Sequence, residues 1–95
     1  MNEASIIRTE KRIDTKTAPA LEKAVNTAIV EGTGDIIVDM EDTVYISSMG
    51  LRVLLTAKKR LRNTDRSLKV RNVCQTVMEV FDITGYSGFL DFGDM

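Results

Sequence analysis

Two adjacent hydroxyls, Ser47 and Ser48, are the residues whose placement in this 95-residue chain most suggests chemistry. They follow the apolar runs Ile36–Met40 and Val44–Ile46 and precede Met49-Gly50-Leu51, where an amphipathic helix opens. A hydroxyl there lies beside backbone N–H groups that a helix start leaves without intrahelical partners. Either serine can cap the helix by accepting from such an N–H. Neither has the Glu or Gln three residues on that a capping box uses, because those positions are Gly50 and Leu51. A phosphate added at this turn changes the local charge by about two units. The helix start tolerates that dianion through its free N–H groups and its dipole. A docked partner does not, and complementarity lost at an interface costs on the order of 2–5 kcal/mol. The pattern points to a switch that keeps its fold and releases its partner, not to a catalytic centre.

The other reactive residue types form weaker constellations. The chain has no His, which removes Ser–His and Cys–His nucleophile pairs and the usual zinc ligand sets. Asp39, Glu41 and Asp42 cluster beyond a strand and offer the oxygen donors that magnesium prefers. No second constellation accompanies them, so neither a metal nor a cofactor is expected. Gly32-Thr33-Gly34 belongs to no G-x-G-x-x-G or G-K-[ST] pattern and follows a helix, so it reads as a helix stop. Lys58, Lys59, Arg60, Arg62, Arg66, Lys69 and Arg71 make a basic segment without interleaved aromatics. It reads as a solvated helix face running into a strand, with no direct nucleic-acid contact. The lone Cys74 has no internal disulfide partner and fits a small core residue in a reducing cytoplasm.

Those residues must be positioned by elements that periodicity makes visible. Ala4–Thr9 is a short β-like run. Helix one is expected to begin near Thr15 or Thr17 with Pro19 in its first turn. Leu21, Ala24, Val25, Ala28 and Ile29 line its inner face. Ile36–Met40 is apolar at nearly every position, the pattern of a central strand covered on both faces. Leu51, Leu54, Leu55 and Leu61 line helix two, with Arg52, Thr56, Lys59 and Arg60 opposite. Ser67–Val70 reads as a strand nearer an edge. Val73, Val77, Val80 and Phe81 mark helix three, closed by Thr84-Gly85, and Phe89–Phe92 is a last short strand or turn. The alternation β-α-β-α-β-α calls for a sheet with crossover helices and parallel central pairs. With 43% apolar and 28% charged residues and a net charge of −1, the chain reads as one soluble domain over residues 1–95, with no run long enough to enter a membrane.

Several segments together resemble a known family. Asp39-Met40, Tyr45 through Leu55, and Phe81-Asp82-Ile83-Thr84-Gly85 are similar to the STAS domain of bacterial anti-sigma factor antagonists. Arg12 through Ala18 resembles that family's approach to its first helix, and the similarity runs from about Arg8 to Phe92. The resemblance implies an α/β fold, a single STAS-like domain with a mixed four- to five-stranded sheet and helices mainly on one face. It also implies a cytoplasmic, non-enzymatic partner switch. In that family the unphosphorylated antagonist binds an anti-sigma factor with serine kinase activity and frees a sigma factor. Phosphorylation switches it off, and a PP2C-type phosphatase resets it. Aligned on Gly50, the phosphoacceptor falls on Ser48. Ser47 stands where the family commonly has Asp, and Met49 where it has a second Ser. The implied contact patch is Ser47, Met49 and Arg52 with Asp14 and Thr15 from the neighbouring loop. The short N-terminus implies a reduced first strand and an open sheet edge through which a homodimer can form. The alternative is a stand-alone STAS adaptor subunit of a membrane transport complex, with Ser48 as a cap that is never phosphorylated.

Overall fold

β-Branched residues at Ile6, Ile7, Ile36, Ile37, Val38 and Val70 favour extended backbone, while apolar residues three and four apart select the intervening helices. The computed structural model describes residues 3–93. In chain order the elements are β1 (Ser5–Arg8), β2 (Arg12–Ile13), α1 (Ala18–Glu31), β3 (Ile36–Asp39), β4 (Tyr45–Ile46) and α2 (Ser48–Arg60). They continue as β5 (Leu68–Arg71), α3 (Gln75–Thr84), a 3-10 turn (Tyr86–Gly88) and β6 (Asp91–Phe92). The main sheet has the order β1-β3-β5-β6 with every pair parallel. Parallel neighbours need crossovers, and α1, α2 and α3 supply them.

The register sets Ile7 beside Val38, Val38 beside Val70, and Val70 beside Phe92. One face of the sheet therefore carries Ile36, Val38, Leu68 and Val70, all buried with Leu21, Val25, Leu54, Val77 and Phe81 from the helices. The other face carries Ile6, Ile37, Lys69 and Arg71, which are exposed or half-buried. The α/β fold with helices mainly on one face is present. The second face of β3 is less covered than its apolar sequence suggests, and Ile37 is only half-buried. β5 is not an edge strand, since it lies between β3 and β6. β1 takes one edge and carries no strand on its outer side among the described residues.

A second ladder, β2 with β4, is also parallel and pairs Arg12 with Tyr45 and Ile13 with Ile46. Two residues per strand are too few for any periodicity to announce. Buried Thr9 and Thr43 touch through their hydroxyls, and the Thr43 hydroxyl donates to the Glu10 carbonyl at 2.6 Å. That contact ties the small ladder to the end of the main sheet.

α1 stops at Gly32 as expected, though without the left-handed geometry of a common glycine cap. Gly32 is extended (φ −89°, ψ 170°), and a Cβ there would sit 2.6 Å from the Ala28 carbonyl. The left-handed glycine cap is Gly85 (φ +82°), at the end of α3. The Gly32 N–H donates to the Ala28 carbonyl at 2.9 Å, and Arg66, from the turn before β5, meets the carbonyls there as well. Its guanidinium donates to Ala28 at 2.9 Å, Ile29 at 2.8 Å and Gly34 at 2.8 Å. A cation there also complements the helix dipole. Replacing Arg66 with Met should lower stability by about 2–3 kcal/mol, read as a shifted urea midpoint at constant slope, with Lys recovering part of it. An unmoved midpoint would show the three bonds to be idle.

Candidate functional site

The small ladder ends where the two serines begin. The Ser47 N–H donates to the Ile13 carbonyl at 2.8 Å, so Asp14 and Ser47 leave the ladder side by side. Ser47 is the N-cap of α2 in extended geometry, and its hydroxyl accepts from the Gly50 N–H at 3.3 Å. Its carbonyl accepts from the Leu51 N–H at 3.0 Å. The helix start can lie this close to the ladder because Gly50 has no side chain. A Cβ there would come within 2.5 Å of the Ile13 Cγ2 and 2.8 Å of the Ile46 Cγ1. Met49-Gly50-Leu51 is thus a sequence of opposite demands, exposed, close-packed and buried in turn.

With the cap supplied by Ser47, the hydroxyl of Ser48 is exposed at the first residue of α2. Met49 beside it is 46% exposed, and Val44 (46%) and Tyr45 (40%) continue the apolar surface. Sequence reasoning missed Val44 and Tyr45 as surface residues, because an apolar run before a helix reads as core. The Arg12 guanidinium lies 4.2 Å over the Tyr45 ring, a cation–π contact. Arg52 is exposed one turn into α2 and lines a groove of about 140 Å³ with Ala18, Pro19, Glu22, Met49 and Val53. Among the described residues Arg52 forms no ion pair, unlike Arg8, Arg12 and Arg71.

Asp14 faces its own loop. Its Oδ1 accepts from the N–H groups of Lys16 at 3.0 Å and Thr17 at 3.2 Å, while Oδ2 lies 3.8 Å from Arg12. The Lys16 and Thr17 amides, more than Arg12, hold its carboxyl below the ordinary value. Thr17, at the N-cap of α1, uses its hydroxyl to accept from the Asp14 N–H and donate to the Arg12 carbonyl. Thr15 is exposed between them. The fold thus collects Asp14, Thr15, Ser47, Ser48, Met49 and Arg52 at one end of the molecule.

The acidic and basic clusters have other employment. Asp39 is buried, and its carboxylate accepts from the Asn72 amide at 3.0 Å, the Glu41 N–H at 3.1 Å and Arg71 at 3.3 Å. The Asn72 bond foremost holds its carboxyl below the ordinary value. Glu41 and Asp42 both pair with Arg8. In the basic segment, Arg66 caps α1, Lys69 faces Asp35 at 3.6 Å, and Lys58 faces Asp91 at 3.1 Å. Lys58, Lys59 and Arg60 occupy the last turn of α2, where cations suit the dipole. No described helix is long and apolar enough to cross a membrane.

Comparison with known proteins bears on this arrangement. Residues 2–94 match the family model described as STAS domain. The anti-sigma-B factor antagonist of Staphylococcus aureus is 33% identical over 73 residues, covering 77% of this chain and 68% of that protein. The anti-sigma factor antagonist SpoIIAA in its unphosphorylated form superposes with a TM-score of 0.79 at 23% identity, over 99% of this chain and 83% of that one. The Bacillus cell fate determinant SpoIIAA in its phosphorylated form gives 0.71 at 21% identity, over 99% and 86%. At these identities the two structures speak to the fold.

Two outcomes test the geometry. Gly50→Ala should destabilise by about 1–3 kcal/mol through overpacking against Ile13 and Ile46, visible as a lower unfolding temperature; an unchanged one would show that the isoleucine tips yield freely. Asp39→Asn should cost about 1–3 kcal/mol at pH 7. Because the folded Asp39 pKa lies below its ordinary 3.8, its contribution is complete above that value and disappears as pH falls through the folded pKa. The difference between wild type and variant should therefore shrink as pH falls below 3.8 and through the folded pKa. A constant difference in urea melts would assign the effect to shape instead of charge.

Proposed function

The chain belongs to the STAS domain family, and from that membership we propose that it is an anti-sigma factor antagonist. In this reading it is one binding domain, acting in the cytoplasm, whose unphosphorylated form engages an anti-sigma factor with serine kinase activity and so releases a sigma factor. Ser48 is the phosphoacceptor, and a PP2C-type phosphatase restores it. The protein accepts the phosphoryl group and catalyses nothing itself.

One observation carries the assignment to Ser48 over Ser47. Ser47 is committed to the backbone, with its N–H on Ile13 and its hydroxyl on Gly50, whereas the Ser48 hydroxyl is exposed. A kinase can therefore use Ser48 without unmaking the cap. The surrounding surface suits a partner, with Met49 supplying apolar area and Arg52 a cation for an acidic surface. Asp14 and Thr15 stand at the rim. Attachment of a dianion to this patch adds charge that a docked surface must desolvate or repel. The relatives support the reading: the S. aureus protein is named as an antagonist of this kind, and SpoIIAA has structures in both phosphorylation states.

Ser48→Asp should weaken binding to the cognate anti-sigma factor at least tenfold in calorimetric titration, while stability stays within about 1 kcal/mol. Ser47→Ala should do the opposite, losing about 1 kcal/mol of stability with the cap. Equal binding by wild type and Ser48→Asp would overturn the switch.

A further inference from the structure

We infer that Arg52 is the intramolecular counter-cation of a phosphate on Ser48, so that modification turns this arginine from the partner back onto its own helix. The inference rests on the reading of Ser48 as phosphoacceptor and deepens it by assigning how the modified site is neutralised. It stands on the spacing of two side chains, not on the helix end as such.

Residues four apart on a helix are neighbours on one face. Helical side chains lean toward the N-terminus and over the preceding turn. Arg52, on α2, therefore reaches back toward Ser48. Both residues are exposed, so neither must break a packed contact to meet the other. The first turn of α2 contains no acid that would compete from the same helix. Arg8 is held by Glu41 and Asp42, Arg66 by three carbonyls and Arg71 by Asp39, and Arg60 lies in the last turn of α2, with Arg62 beyond it, far from Ser48. Arg52 has no ion-pair partner among the described residues. On the neighbouring elements the charged groups are Glu22 of α1, which lines the same groove, and Asp14 and Arg12, which face each other. A phosphate outbids the single Glu22 carboxylate because it brings about two charges and three acceptor oxygens to a forked guanidinium.

The transfer is the kinase's work. It joins the Ser48 Oγ to the γ-phosphorus of a nucleoside triphosphate, releases the diphosphate, and gives the hydroxyl proton to the kinase. The consequence here is twofold. The patch gains about two negative charges, and the cation that had faced outward is drawn into a local pair. An acidic partner loses its attractive contact in the same event that creates the repulsive one.

The test is phosphorus NMR of protein carrying phosphoserine incorporated at position 48 during translation, titrated with acid at low salt. The second ionisation of such a phosphate ordinarily falls near pH 6. With Arg52 present it should lie about 0.3–0.6 pH unit below that of the Arg52→Gln protein, and the difference should fade at about 1 M salt. Arg52→Lys should keep most of the effect as a charge. Identical titrations of Arg52 and Gln proteins would overturn the pairing, as would a difference indifferent to salt. Since the phosphate is installed without a kinase, the result is independent of partner binding. A lowered ionisation alongside unimpaired anti-sigma binding by Ser48→Asp would leave the pairing standing and remove the switch.

Discussion

The start of α2 rests against Ile13 and Ile46 only because Gly50 carries no side chain, and the whole Ser47–Ser48 turn is placed by that contact. A helix N-terminus otherwise keeps its distance from a strand pair by at least the girth of a methyl group. Here it closes on the β2–β4 ladder, whose last bond runs from the Ser47 N–H to the Ile13 carbonyl. The cap, the ladder and the packing therefore converge on the four residues from Ser47 to Gly50. Ser47 becomes structural by this arrangement, and Ser48 is left with an unused hydroxyl in solvent.

Charge is distributed with the same economy. Asp39 gathers Arg71, Asn72 and the Glu41 amide at the end of the main sheet, and Arg8 gathers Glu41 and Asp42 beside it. Arg66 neutralises the carbonyl end of α1 from across the chain. These pairs take up the carboxylates that, as bare sequence, offer the donors of a magnesium site. They also leave the Ser48 end with an exposed cation and an exposed apolar surface, Met49, Tyr45 and Val44. Exposed apolar side chains gathered next to a modifiable hydroxyl are the kind of surface that partners cover.

The proposed switch asks little of the fold. The core lies between one face of the sheet and the three helices, and exposed Ser48 is not part of it. Stability depends on buried Ile36, Val38, Leu54, Val70 and Phe81, whereas Ser48, Met49 and Arg52, the side chains proposed to meet a partner, are exposed. A dianion on Ser48, as proposed, would meet a helix start that favours negative charge.

The sequence alone determined the order of the main strands and helices, the inner faces of all three helices and the place of the Ser-Ser turn at the start of the second, because helical periodicity and turn residues are local signals. It also carried the family, since the motifs around Tyr45–Leu55 and Phe81–Gly85 are contiguous. Tertiary structure decided the rest. The pairing of Arg12–Ile13 with Tyr45–Ile46 joins residues 33 apart through two-residue strands that no periodicity reveals. The open face of β3 depends on which side the helices choose, and a fully apolar strand does not say. Arg66 reads as one more surface cation until its guanidinium meets carbonyls of α1 and the loop after it, more than thirty residues earlier in the chain. Which serine caps was settled by the tertiary pairing that holds Ser47 extended, its N–H on the Ile13 carbonyl, while Ser48 already lies in the helix.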